Sequence, residues 1–483
     1  MSKEVRNLDP KVVWGYFEDL NAIPRGSKKE DKIREFVRQF GENLGLKTKV
    51  DGIGNVIIKK PASPGMEDRV GVILQGHIDM VWQKNADTDF DFDTQGIETY
   101  INGDWVTANG TTLGADNGMG VAAAMALLAS TDIAHPALEG LFTIDEETGM
   151  TGAKGLLGGE LDGKILLNLD TEDDDELTIG CAGGVDTVGT LSYTEETPVA
   201  GSTGVFIKVS GLSGGHSGMD IHTGRGNANL IINRLLWNAD AYGVQIAAVD
   251  GGGLRNAIPR EANATVAVTD LAGFKAHVEG LAAEIKGELG TTDPNFVVEF
   301  TSVETPSGVM PKELQWKMVR TIYTIPNNVW RMSPDMENLT ETSSNLARIL
   351  VKEGHISLET LQRSSVESQK WDIANAVRCA MENMGADVEH SGSYPGWTPK
   401  PSAPIVSIMG DLYKEMFNET AKVNACHAGL ECGILGTNYP DVQMISFGPT
   451  IKGAHSPDER VGIKSVAKFW DYLLRALQNI PKA

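Results

Sequence analysis

Hydrophobic positions in the first 186 residues follow two different periods. Residues 10–20 and 28–44 place apolar side chains three and four apart, which lines one face of a helix. Residues 70–74 form a short apolar run of strand length, 138–144 and 164–169 read as further apolar strands, and a helix over 119–129 separates the first from the second. Apolar strands spaced by helices predict an α/β fold, a mostly parallel sheet covered by helices. In such sheets reacting groups gather where strands end at their carboxyl edge, so chemistry is to be sought there.

From about residue 187 the pattern changes. Strands over 205–209, 265–268 and 296–300 accompany helices over 227–237 and 273–289. A helix over 311–325 then precedes strands over 346–351, 356–361 and 387–390, with a helix over 369–383. Two such sets in succession predict an inserted α+β domain of two similar halves, 187–401. The proline-rich stretch 393–404 reads as a connector, and a helix (405–418), a strand (442–447) and a helix (464–478) return to the opening style. The expected organisation is an α/β domain in two segments, 1–186 and 402–483, around the insertion.

Composition narrows the partners. With 42 Lys+Arg against 65 Asp+Glu the chain carries −23, a poor surface for nucleic acid, whose phosphates need clustered cations. The longest strongly apolar run, 121–129, is far short of the ~20 residues that span a bilayer, so no membrane partner is expected. The first residues show no apolar signal core, and the 4 cysteines are scattered without zinc-knuckle spacing. Reduced thiols and a cytoplasmic location are the expectation.

Candidate chemistry lies at the predicted strand ends. The 70–74 strand runs into His77-Ile78-Asp79, whose two polar residues share one side of an extended chain. Asp79 can then orient His77 through its second ring nitrogen. Asp116, between glycines before the 119–129 helix, reads as an N-cap or as a group in a loop that comes close to something. Asp145, Glu146 and Glu147 follow the next apolar strand, and consecutive carboxylates there repel unless a cation or proton intervenes. Asp170 ends the strand after that, and His455 sits in a Gly/Pro-bounded loop after the 442–447 strand. Singly each has a structural explanation. Together, imidazole and carboxylate without thiolate suit zinc or another divalent metal in a hydrolytic site. Two metals sharing one carboxylate need five ligands, and five remain once Glu146 is set aside as a base.

The motifs GHIDM (76–80), GADNG (114–118), DEETG (145–149), NLDTED (168–173) and GAHSPDE (453–459) resemble those of the co-catalytic zinc exopeptidases and amidohydrolases, in that family's order. Residues 168–184, 214–229 and 391–399 are most similar to its carnosinase-type bacterial branch, which hydrolyses Xaa-His dipeptides. The resemblance implies two zinc ions per subunit, with cobalt or manganese also suited. One would be held by His77, Asp116 and Asp170, the other by Asp116, Glu147 and His455. It implies a cis peptide between Asp116 and Asn117, a water bridging the metals, Glu146 as general base, and Asp79 orienting His77. The insertion resembles the family's lid. His216 would support the developing oxyanion, Asn256 and Arg363 would bind the substrate's terminal carboxylate, and His427 and Glu431 would line the pocket. His135, His222, His277, His355 and His390 fall outside these motifs and read as structural.

Other readings compete. Gly211-Leu212-Ser213-Gly214-Gly215 matches a nucleophile elbow, but that motif requires a helix directly after the serine, and none is predicted before about 227. An N-acyl amino acid deacylase would use the same metal centre with a different pocket. A non-catalytic metal or peptide binder would gain nothing from Glu146. A dipeptide is the expected substrate, and a homodimer the expected assembly.

Overall fold

The computed structural model describes residues 3–483 and forms two compact units. The first comprises the chain up to Gly180 together with Pro399–Ala425 and Leu430–Ala483, and the second Cys181–Thr398 with Cys426–Gly429.

The first unit is built on an eight-stranded sheet. Its order is Lys47–Val50, Val56–Lys60, Leu138–Thr143, Val72–His77, Ile165–Asn168, Gln443–Ser446, Glu176–Cys181 and Lys422–Cys426. The four strands from Leu138–Thr143 to Gln443–Ser446 run parallel, while Val56–Lys60 and Glu176–Cys181 pair antiparallel on either side. Val72–His77, Leu138–Thr143 and Ile165–Asn168 are buried at every residue, which is why they read as mainly apolar stretches. The lysine-rich flank strands were not predicted from sequence: Lys47–Val50 is nowhere fully buried, as befits an edge. A second, four-stranded sheet pairs Trp105–Ala108 with Arg460–Gly462, which brings the chain before Asp116 beside the chain after His455.

The second unit holds a nine-stranded sheet. One half reads Thr203–Ser210, helix Ala228–Leu236, Gln245–Gly252, Ala262–Val268, helix Leu271–Glu288, Val297–Val303. The other repeats that sequence of elements: Gly183–Ser192, helix Lys312–Thr324, Thr340–Lys352, His355–Ser364, helix Glu367–Met384, Asp387–Tyr394. The halves meet edge to edge where Gln245–Gly252 pairs with Thr340–Lys352. The first strand of the second half precedes the whole first half in the chain. Sequence periodicity missed Gly183–Ser192, whose glycines and threonines dilute its apolar alternation.

Candidate metal centre

In the first unit the parallel strands deliver their polar ends to one place. His77 is the last residue of Val72–His77 and is 1% exposed. Asp145–Glu147 follow Leu138–Thr143, and Asp170 follows Ile165–Asn168. Asp116 lies at the start of the helix Ala115–Ala129, where it and Asn117 depart from helical backbone and the peptide between them is cis. The chain reaches this helix through Gly114 at φ 71°, with Arg25 Nη2 so close that a Cβ would meet it at 2.4 Å, so only glycine fits. Asp145 (φ 52°) and His455 (φ 63°) also take the left-handed backbone that is uncommon for non-glycine residues.

Asp116 presents one oxygen to each histidine. His77 Nε2 lies 3.1 Å from Asp116 Oδ1, and His455 Nε2 lies 3.2 Å from Asp116 Oδ2. Glu147 Oε2 is 2.8 Å from the same His455 nitrogen, and Asp170 Oδ1 is 3.5 Å from His77 Nε2. Thus His77, Asp116 and Asp170 form one group with donor atoms within 4.8 Å of one another, and Asp116, Glu147 and His455 form a second.

These donors fit divalent metal. Among the described residues Glu147 Oε1 is buried without a hydrogen-bond partner and Asp170 Oδ1 has only its 3.5 Å contact with His77, and a desolvated carboxylate oxygen is costly unless something positive meets it. Burial pushes Glu146 well above the usual carboxylate range, with Asp170, Glu431 and Glu147 adding repulsion. Burial likewise raises Glu147 and Asp170, and with Asp116 and Asp170 nearby it pushes Glu172 up to about 8. Asp116 is held low: burial opposes its charge, but hydrogen bonds from His455 and His77 prevail. Those bonds to Asp116 and Glu147 raise His455 to about 11. Two divalent cations would relieve this crowding and meet neutral imidazoles in place of imidazoliums.

Asp79 is 0% exposed and does more than face His77 Nδ1 at 3.4 Å. Its carboxylate also accepts the backbone N–H groups of Glu146 (3.1 Å) and Glu147 (3.3 Å) and the Ser27 hydroxyl (2.8 Å). One side chain therefore ties a histidine to the turn that carries Glu146. Two further supports were missed from sequence. Arg25 is buried and donates to the carbonyls of Ile78, Asp79 and Gly114; burial lowers it to about 10, so it stays charged at neutral pH. Glu459 accepts backbone N–H from Leu113 (2.7 Å), Gly114 (2.9 Å), Ala115 (2.7 Å) and Asp116 (3.3 Å), which anchors the Asp116 loop to the segment bearing His455. GAHSPDE displayed Glu459, but nothing local shows that its partners lie more than 340 residues away. Asp173, Asp174 and Asp175 pair with Lys452, Lys468 and Lys422 of the second chain segment.

Glu431, expected to line a substrate pocket, lies against the sheet near Glu146. It opens the helix Glu431–Asn438, is 0% exposed, and spends its carboxylate on Gln75 and Thr143 of the sheet, because a charge in that interior needs donors.

The second unit groups the remaining candidates. His216 Nδ1 accepts the N–H groups of Gly218 (3.1 Å) and Met219 (3.0 Å), which leaves its proton on Nε2. A Cβ on Gly218 would meet the His427 carbonyl at 2.1 Å, so the GGHSG glycine is a packing requirement. His427 is buried, 2.7 Å from Ser343 Oγ; burial, with Arg363, His216 and His222 nearby, lowers it to about 3. Arg363 is 4% exposed, donates to the Tyr394 hydroxyl at 2.9 Å, and has an Nε unpartnered among the described residues. Asn256 is exposed, and its carbonyl accepts the Ser217 N–H at 2.7 Å. Ser213 donates its hydroxyl to the Thr292 carbonyl, and the short strand Gly215–His216 follows it, so no nucleophile elbow forms.

A family model, Peptidase family M20/M25/M40, matches residues 73–479. The chain is 39% identical to the cytosol non-specific dipeptidase of Escherichia coli over 99% of each chain. Among solved structures it is similar to aminoacylhistidine dipeptidase from Vibrio alginolyticus, with 43% identity, a TM-score of 0.94, and 100% of this chain and 99% of that one covered. An aminopeptidase from Bacillus cereus shares the fold at 15% identity and a TM-score of 0.56, covering 98% of this chain and 99% of that one. No helix among the described residues is long and apolar enough to cross a membrane.

Proposed function

The chain belongs to peptidase family M20/M25/M40, and from that premise we propose a cytosolic, metal-dependent dipeptidase that cleaves unblocked dipeptides, Xaa-His among them. The observation that carries the reading is Asp116, which turns one oxygen to His77 and the other to His455 and so suits a ligand shared between two divalent ions. Similarity to two dipeptidases over nearly the full chain supports the substrate class. His77, Asp116 and Asp170 would hold one ion, and Asp116, Glu147 and His455 the other; zinc, cobalt and manganese all suit these donors. When bound, such ions polarise the scissile carbonyl and make a water acidic enough to attack it at neutral pH.

The chain's own residues supply the rest. Glu146 accepts the proton of the attacking water and returns it to the leaving nitrogen. Asp79 fixes the backbone from which Glu146 projects and the ring of His77. His216, with its proton on Nε2, donates a hydrogen bond to the carbonyl oxygen as negative charge develops. Arg363, buried with an Nε unpartnered among the described residues, is suited to a carboxylate, the group that ends every dipeptide.

The test is hydrolysis of β-alanyl-histidine, glycyl-histidine and N-acetyl-histidine by protein stripped with a chelator and then reloaded with zinc, cobalt or manganese. Metal-restored cleavage of the two dipeptides is expected, with little of the acetyl compound. Undiminished activity after chelation would end the metal reading, and preference for N-acetyl-histidine would make the protein a deacylase.

A further inference from the structure

A buried polar network links the three parallel strands whose ends carry the proposed ligands and base. Gln75 lies two residues before His77, Thr143 three before Glu146, and Asn168 two before Asp170; each is 0% exposed. Asn168 Nδ2 donates to Gln75 Oε1 at 2.6 Å. Gln75 Nε2 donates to Thr143 Oγ1 at 3.2 Å and to Glu431 Oε2 at 2.6 Å, and the Thr143 hydroxyl donates to the same Glu431 oxygen at 2.7 Å. These four bonds run toward Glu431, the ionisable member, and the Thr143 hydroxyl has one longer alternative acceptor, the Gly76 carbonyl at 3.5 Å.

Such a chain of donors depends on its end point. Without Glu431, one N–H of the buried Gln75 amide loses its acceptor and the Thr143 hydroxyl keeps only the longer contact with the Gly76 carbonyl at 3.5 Å, so the Gln75 side chain is driven to turn away. Gln75 and His77 point to the same side of one strand, so a rotation at Gln75 is felt at His77. Glu431 reaches the network from the opposite end of the sequence, 356 residues after Gln75. A carboxylate recruited from so far, with its Oε1 left unpartnered among the described residues, is an expensive choice for packing alone.

We infer that Glu431 is a positioning residue of the metal centre, which holds the ends of the His77, Glu146 and Asp170 strands at the spacing the ligand set requires. This rests on the metal reading proposed above. Zinc is titrated calorimetrically into metal-free, full-length wild type, Glu431→Ala and Glu431→Gln, and kcat and KM for glycyl-histidine are then measured at saturating zinc. Glu431→Ala should bind zinc about 10–100-fold more weakly, as loss of groups that orient ligands does elsewhere, and lose kcat with KM nearly unchanged. Glu431→Gln retains a carbonyl acceptor for both donors and should recover most of the affinity. Thr143→Val keeps the side-chain shape, removes one donor, and serves if Glu431→Ala does not fold; it should weaken zinc several-fold. Wild type that takes up zinc while Glu431→Ala or Thr143→Val binds it equally well overturns the role of Glu431 alone. Wild type that takes up no zinc overturns the metal reading as well.

Discussion

The division of labour among neighbouring acids is set at the level of single side chains. Glu146 and Glu147 are adjacent in sequence and both lie within reach of His77, yet among the described residues Glu147 alone of the two pairs with His455, at 2.8 Å, while burial pushes Glu146 well up. On the proposed reading, environment rather than residue type would make Glu147 a ligand and Glu146 a base. Glu146→Gln should therefore keep metal uptake near the wild-type level and lose turnover by ~10²–10⁴, the range for removal of a general base. Metal content by atomic absorption beside steady-state rates checks this, and a variant that still turns over would assign the base elsewhere. Asp79 shows the same economy: one carboxylate serves a ring nitrogen and two backbone amides.

At the scale of elements, the centre depends on a helix start rather than on helix or strand interiors. The orphan N–H groups of the turn leading into Ala115–Ala129 are taken by Glu459, a carboxylate from a distant segment and not a local cap. Glu459→Gln preserves shape but turns one oxygen into a donor that faces backbone N–H groups. A loss of about 1–3 kcal/mol is expected, the cost of buried groups left unpaired. Urea unfolding followed by tryptophan fluorescence reads it, and an unchanged midpoint would show that the anchor contributes nothing. The strands that carry His77, Asp145–Glu147 and Asp170 were legible in sequence because burial on both faces writes a mainly apolar stretch. The flank strands were not, since Lys47–Val50 and Val56–Lys60 wear lysines where solvent meets the edge.

For the molecule as a whole, acid stability should report the buried His427 of the second unit. His427 is lowered to about 3 by burial and then by Arg363, His216 and His222, against an ordinary value of 6.5. Between those two values the unfolded imidazole binds a proton that the folded one refuses. Stability therefore falls as pH falls below about 6.5, by roughly 1.4 kcal/mol per pH unit until the folded group titrates. Above 6.5 the effect is absent. His427→Gln, which can still reach Ser343, should flatten the decline of the melting temperature between pH 6 and 4; an unaltered slope would place the acid sensitivity in other groups.

By itself the sequence determined the class of fold, the strand ends at which chemistry would lie, and the types of residue found there. These follow from local rules: burial sets apolar runs, and a parallel sheet gathers function at one edge. It displayed His77, Asp79, Asp116, Glu147, Asp170 and His455 as separate motifs. Only the tertiary structure decided that Asp116 faces both histidines, that Asp79 also holds the Glu146 turn, and that Arg25, Glu459 and Glu431 brace the assembly. Their partners lie from tens to hundreds of residues away, and a carboxylate looks the same in a sequence whether water or a buried amide receives it. Desolvation makes the difference, and desolvation exists only once the chain has closed around the site.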